Sequence, residues 1–201
     1  MVSDTTEQRP TRRHSPLRDI FWTGVQALTL FLILSALIGR FEIHQISMEP
    51  TFHEGQRVVV SKIDSIWSNL FVGTAHAAEA HPASPFALHR GQIVVFYRTP
   101  DRSEDALIKR VIGLPGDTIE IRSGQVYVNG AAIDEPYVHG VATSCNAECG
   151  PITLDADSYF MMGDNRANSM DSRVFGPIPA GQVIGHVVLR YWPFNQIELF
   201  P

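Results

Sequence analysis

At 201 residues, with 44% apolar and 18% charged positions, the chain has room for one domain and at most a small appended subdomain. The formal net charge is −5, and beyond residue 39 there are twelve basic and eighteen acidic positions with no basic run or stripe. That balance argues against nucleic acid as a partner.

Residues 1–19 are polar, contain Pro10 and Pro16, and read as a disordered cytoplasmic tail. Residues 20–39 carry no charge and are rich in Leu, Ile, Phe and Ala. A helix of this length spans a hydrocarbon core of roughly 30 Å. A cleaved signal peptide fits less well, because the run exceeds the usual apolar length and no small-x-small site follows before Arg40. A buried helix fits less well too, given a charge-free run so early in the chain. The segment therefore reads as a retained transmembrane anchor. Arg9, Arg12, Arg13 and Arg18 precede it and Arg40 alone follows closely. The positive-inside rule then places the N-terminus in the cytoplasm and residues 40–201 on the outer face of the inner (plasma) membrane.

Beyond the anchor, residues 41–46 read as a strand leading into Ser47-Met48-Glu49-Pro50-Thr51. Pro50 keeps Glu49 out of the helical region, so Ser47 is expected where a strand enters a turn. Residues 56–62 form the next strand. Residues 64–89 read as an irregular excursion in which Trp67 and Phe71 suit a lipid interface; a loop packed on its own core is the equal alternative. Further strands are expected at residues 92–97, 107–112, 118–121, 125–128, 159–162, 183–190 and 197–200, with a hairpin around Arg122-Ser123-Gly124. Residues 131–157 read as loop-rich. The fold class is mainly β: one N-terminal transmembrane helix, then an exported β-rich domain at residues 40–201.

Lys109 is one of only two lysines, with Lys62. In an extended segment it shares a face with Leu107 and Val111, so desolvation should pull its amine below the free-lysine value of roughly 10.4. A neutral lysine amine is a usable general base, whereas arginine is not. Taken alone, Lys109 would be read as a strand-edge residue whose amine reaches water. A serine nucleophile needs such a base, and Ser47 in its turn supplies the serine. A third segment, residues 163–173, is dense in turn-forming residues. If residues 169–173 are extended, Ser169, Asp171 and Arg173 share a face. Ser169 could then orient the lysine, and Asp171 could pair with Arg173. The bland reading is a solvated loop. Cys145 and Cys149 read as a short-loop disulfide in an exported domain. No histidine joins them at ligand spacing, so a metal site is not expected.

Four segments in order resemble the bacterial signal peptidase I family of membrane-anchored serine peptidases. They are Ser47-Met48-Glu49-Pro50-Thr51, Arg90-Gly91-Gln92-Ile93-Val94-Val95-Phe96, Lys109-Arg110-Val111-Ile112-Gly113-Leu114-Pro115-Gly116-Asp117, and residues 163–173. The resemblance implies a Ser/Lys dyad of Ser47 and Lys109, a lysine-supporting serine at Ser169, and a structural acid at Asp171 paired with Arg173. It gives Asp164 and Arg110 structural places, and it implies that residues 40–201 are a β-rich catalytic domain with a short β insertion at 118–160. It implies no cofactor and no metal, with preprotein signal peptides and membrane lipid as partners. Where well-known members carry a serine that helps stabilise the oxyanion, this chain has Gln45, whose amide could replace the hydroxyl. Gln92 and Ala167 stand where some relatives carry Asp. Rival readings are a peptidase dedicated to one conjugation or pilus component, a self-cleaving repressor-like protein, and a silent tethered β-domain that binds exported partners. The anchor and the lack of a basic DNA-binding region oppose the repressor. Thr74-Ala75-His76-Ala77-Ala78 also resembles the end of a signal peptide, so self-cleavage between Ala77 and Ala78 stands against a coincidental match in an alanine-rich loop.

Overall fold

The computed structural model describes residues 16–62, 88–145 and 150–200. Most of the N-terminal tail, the excursion around Trp67 and Phe71, the Ala77–Ala78 bond and Cys149 lie outside them. The chain divides into two units, residues 1–36 and 37–201. In the first, α1 (Pro16–Leu37) is long and apolar enough to cross a membrane, and Ile20, Phe21, Leu30 and Phe31 are exposed along it. A helix satisfies its own backbone polar groups, which a segment in lipid requires.

The second unit is mainly β. Its strands are β1 (Ile38–Glu42), β2 (Arg57–Ser61), β3 (Ile93–Phe96), β4 (Leu107–Gly113), β5 (Thr118–Arg122), β6 (Gln125–Val128), β7 (Ala131–Ala132), β8 (Ile152–Thr153), β9 (Ser158–Met162), β10 (Ile178–Pro179), β11 (Val183–Trp192) and β12 (Glu198–Leu199). The larger sheet runs β1-β2-β11-β3-β4-β9-β10, with β12 pairing β11. The smaller runs β7-β6-β5-β8 and is the hairpin-based insertion. Among the described residues every pairing is antiparallel.

Sequence periodicity explains how the core is divided. In β3, Ile93 and Val95 join one apolar cluster with Met48, Phe52, Val58 and Val60. Val94 and Phe96 point the other way, into a second cluster with Val111, Tyr159 and Met161. The strand is thus covered on both faces, which is why it reads as an unbroken apolar run. Alternation in β5 and β6 buries Ile119, Ile121, Val126 and Val128 against Phe160 and Met162. Each such side chain contributes about 1.5–3 kcal/mol on burial.

Some sequence boundaries shift. The helix stops at Leu37, and Ile38 and Gly39 belong to a strand, paired with Ser61 and Val60. Pairing with β2 thus claims two residues that hydropathy assigned to the anchor. The strand expected at residues 41–46 ends at Glu42, and a 3-10 turn (Ile46–Met48) follows. Residues 169–173 are not extended throughout: α2 (Ser172–Phe175) is a single helical turn. Asp171 is its N-cap and accepts from the Arg173 backbone N–H, while Gly176 ends it at φ 82°. An Asp cap and a following glycine are helix signals that outweighed the period-2 reading.

Candidate active site

Ser47 lies in the middle of the 3-10 turn and is 5% exposed. The turn is fixed from several directions. Met48 and Phe52 on its C-terminal side are fully buried in the first cluster. The Asn165 backbone N–H donates to the Ser47 carbonyl at 3.0 Å, and Asn165 Nδ2 donates to the Ile46 carbonyl at 3.1 Å. Glu49 has extended backbone angles, in keeping with the proline after it. Gln45 is exposed, has extended backbone angles, and makes no side-chain cap to the turn.

Lys109 comes from β4, where pairing with Val94 of β3 fixes its direction. It is 1% exposed, and its neighbours Leu107 and Val111 join the second cluster. Lys109 Nζ donates to Ser47 Oγ at 2.7 Å and to the Ile108 carbonyl at 2.9 Å. Burial pulls the amine down from 10.5 to about 8, and the charges of Asp171 and Asp164 restrain the fall.

Residues 163–173 close the site from the far side. Gly163 has no room for a side chain: a Cβ there would collide with the Ser47 carbonyl oxygen and with Ser169 Oγ. Asp171 is fully buried; its Oδ2 accepts from the Gly163 N–H at 3.0 Å and from Arg173 Nη2 at 2.8 Å, and its Oδ1 from Arg173 Nε at 2.8 Å. Burial alone would raise this carboxyl, but the Arg173 hydrogen bonds and charge outweigh it and hold it below the usual range. Ser169 Oγ lies beside that carboxylate, buried, and meets no partner within hydrogen-bond geometry. The hydrogen bonds of Lys109 Nζ go to Ser47 and Ile108, not to Ser169.

A second buried ionic group was only partly legible in the sequence. Arg110 grips Asp164 at 2.8 and 2.6 Å, Thr51 Oγ1 donates to Asp164 at 2.5 Å, and the Arg110 guanidinium stacks 4.0 Å from the Tyr137 ring centroid. Arg166 pairs with Glu135 at 3.0 and 2.5 Å and donates to Thr143 at 2.7 Å. Burial, with Glu135 nearby, pushes the Tyr137 phenol up. Thr51, Asn165, Arg166 and Glu135 were missed as site residues because nothing in the residues alone sets partners 113, 119 or 31 positions apart beside one another, and the Ile108 carbonyl, next to Lys109 in the chain, carries no side-chain signal. The position of Asn165 inside the dense turn segment was the available signal.

Residues 17–192 match the family described as signal peptidase, peptidase S26. The chain is 34% identical to a signal peptidase I of Leptolyngbya laminosa, over 93% of this chain and 86% of that one. It is 31% identical to a signal peptidase I of Bacillus amyloliquefaciens, over 96% and 98%. A crystal structure of a signal peptidase I from Enterococcus faecalis V583 aligns at 29% identity with a TM-score of 0.42, covering 54% of this chain and 98% of that one.

Proposed function

The chain belongs to the peptidase S26 signal peptidase family, and from that premise we propose that it removes signal peptides from exported preproteins by a dyad of Ser47 and Lys109. The observation that carries this reading is the 2.7 Å approach of Lys109 Nζ to Ser47 Oγ in a dry setting. An amine held near 8 is substantially neutral at mildly alkaline pH. Its lone pair then accepts the Ser47 proton, the reverse of the donation made by the ammonium form. Ser47 Oγ attacks the scissile carbonyl, and the lysine returns the proton to the departing amine of the mature protein. In the second half-reaction, Lys109 takes a proton from water, which releases the leader from the acyl-enzyme.

The remaining site residues enter as parts of this proposal. The Ser47 backbone N–H and the Gln45 side-chain amide donate to the oxyanion; the exposure of Gln45 leaves its amide free to swing toward substrate. Ser169 Oγ, buried and unpartnered, offers an acceptor to Lys109 once it is an ammonium with three N–H donors. Asp171 and Arg173 hold the segment that carries Ser169. No step calls for a metal or a cofactor. Residues 1–19 are the cytoplasmic tail, 20–37 the anchor in the inner (plasma) membrane, and 38–201 the catalytic domain on its outer face, with the insertion at 118–153 rather than 118–160, because residues 158–160 pair within the larger sheet. The arginine-rich flank before an apolar helix supports that orientation. Cys145 and Cys149 close a short disulfide loop in that oxidising setting.

The test is cleavage of a preprotein by the full-length chain in detergent. Ser47→Ala and Lys109→Arg should each abolish it, the second because arginine keeps the charge but cannot give up a proton. Lys62→Arg should cleave like wild type. Substantial activity in either site variant would refute the dyad.

A further inference from the structure

Two grooves are lined by residues that adjoin the dyad, one by Gln45 and Ile108 and the other by Glu49 and Asn165. One holds about 690 Å³ and is lined by the residues that precede the two dyad members in sequence, including Ile43, Gln45, Ala106, Leu107 and Ile108. The other holds about 310 Å³ and is lined by residues that follow Ser47, Glu49 and Pro50, together with Val138, His139, Val141 and residues 164–166. Ser47 and its 3-10 turn lie between the two in the chain. A substrate whose scissile carbonyl meets Ser47 Oγ must leave the site in both directions, and these two grooves adjoin the residues on either side of Ser47 in the chain.

Their linings differ in chemistry. The larger groove has an aliphatic wall from Ile43, Val95, Ala106, Leu107 and Ile108, which suits the small and apolar end of a leader. The smaller one sets charged and polar groups beside the apolar surface of Pro50, Val138 and Val141. Asp164 is spent on Arg110 and Thr51, and Arg166 on Glu135, Thr143 and the Gly163 carbonyl. That leaves the Glu49 carboxylate, with His53 Nδ1 3.3 Å away, as the half-exposed anion on one wall. Exposed His139 stands in the loop that forms the other wall.

We propose that the smaller groove receives the first residues of the mature protein, and that Glu49 biases it toward basic and against acidic side chains there. This rests on the proposed cleavage at Ser47 and adds a charge rule on the far side of the cut. A carboxylate exposed to water shifts such a preference modestly, by about two- to fivefold.

The experiment compares kcat/KM of full-length protein in detergent on peptides that share one leader and differ only by Lys or Glu at the first two positions after the cut. Wild type should favour Lys by about two- to fivefold at low salt, a bias that shrinks as salt rises. Glu49→Gln should bring the Lys-to-Glu ratio close to one. His139→Glu, a change on an exposed side chain of the opposite wall, should widen it. A wild-type ratio of one, or a ratio untouched by both variants, overturns the proposal. A parallel series with Leu in place of Ala immediately before the cut separates the two claims. If that change stops cleavage while the Lys-to-Glu ratio is one, the signal peptidase reading stands and the charge rule falls. If no peptide is cut in a Ser47-dependent way, both fall together.

Discussion

Replacing Lys109 by methionine should make the protein inactive and, near neutrality, no less stable. The amine titrates at about 8 in the folded chain and at 10.5 when unfolded. Between those values the unfolded state binds more protons, so stability rises with pH through this window. At pH 7 the folded state carries a buried ammonium whose penalty is about 3 kcal/mol, since each tenfold loss of proton affinity on folding costs roughly 1.4 kcal/mol. By pH 10 most of that penalty is gone, leaving about 1 kcal/mol. Methionine fills the same apolar slot but gives up the bonds to Ser47 Oγ and the Ile108 carbonyl, worth about 1 kcal/mol each. The variant should therefore be about 1 kcal/mol more stable than wild type at pH 7 and about 1 kcal/mol less stable at pH 10. Urea unfolding of both full-length proteins in detergent, followed by tryptophan fluorescence at several pH values, reads the difference. All other titrating groups are common to both and cancel. A difference that stays flat from pH 7 to pH 10 would show that Lys109 is not desolvated and would remove the physical basis for its action as a base.

Gly163→Ala should cost about 1–3 kcal/mol and most of the activity, because its methyl group would press on the Ser47 carbonyl and Ser169 Oγ. Gly181→Ala, where a Cβ meets nothing within 4 Å, should be nearly neutral in the same thermal melts and cleavage assays. Asp171→Ala should lose about 3–5 kcal/mol, since it strands a buried Arg173 and removes the cap of α2. A loss under 1 kcal/mol by urea unfolding would mean that the pair is not closed to water.

How far residues alone carried this account depended on the range of the interaction. Lys109 was legible because its desolvation is local: Leu107 and Val111 lie two positions away on the same strand face. The turn at Ser47 was legible because Pro50 restricts Glu49. Mainly β architecture with one apolar helix followed from period-2 alternation and a single charge-free run. The failures lie where two local signals competed. Period-2 spacing made Ser169, Asp171 and Arg173 look extended, but the Asp cap and Gly176 close a helical turn, and Arg173 reaches Asp171 from there. Hydropathy carried the anchor through Gly39, yet pairing with β2 begins at Ile38. The bond from Asn165 to the Ser47 carbonyl and the Arg166–Glu135 pair depend on how the sheets curl. No pattern within one segment records that.

The central claim is that Lys109, neutral and buried, is the base for Ser47. The dependence of kcat/KM on pH tests it most directly, because that ratio reports the titration of the free enzyme. With a peptide lacking titratable side chains near the cut, kcat/KM should rise from acid pH, reach half its maximum near pH 8, and level off at alkaline pH. A profile already flat from pH 6 upward would contradict the account.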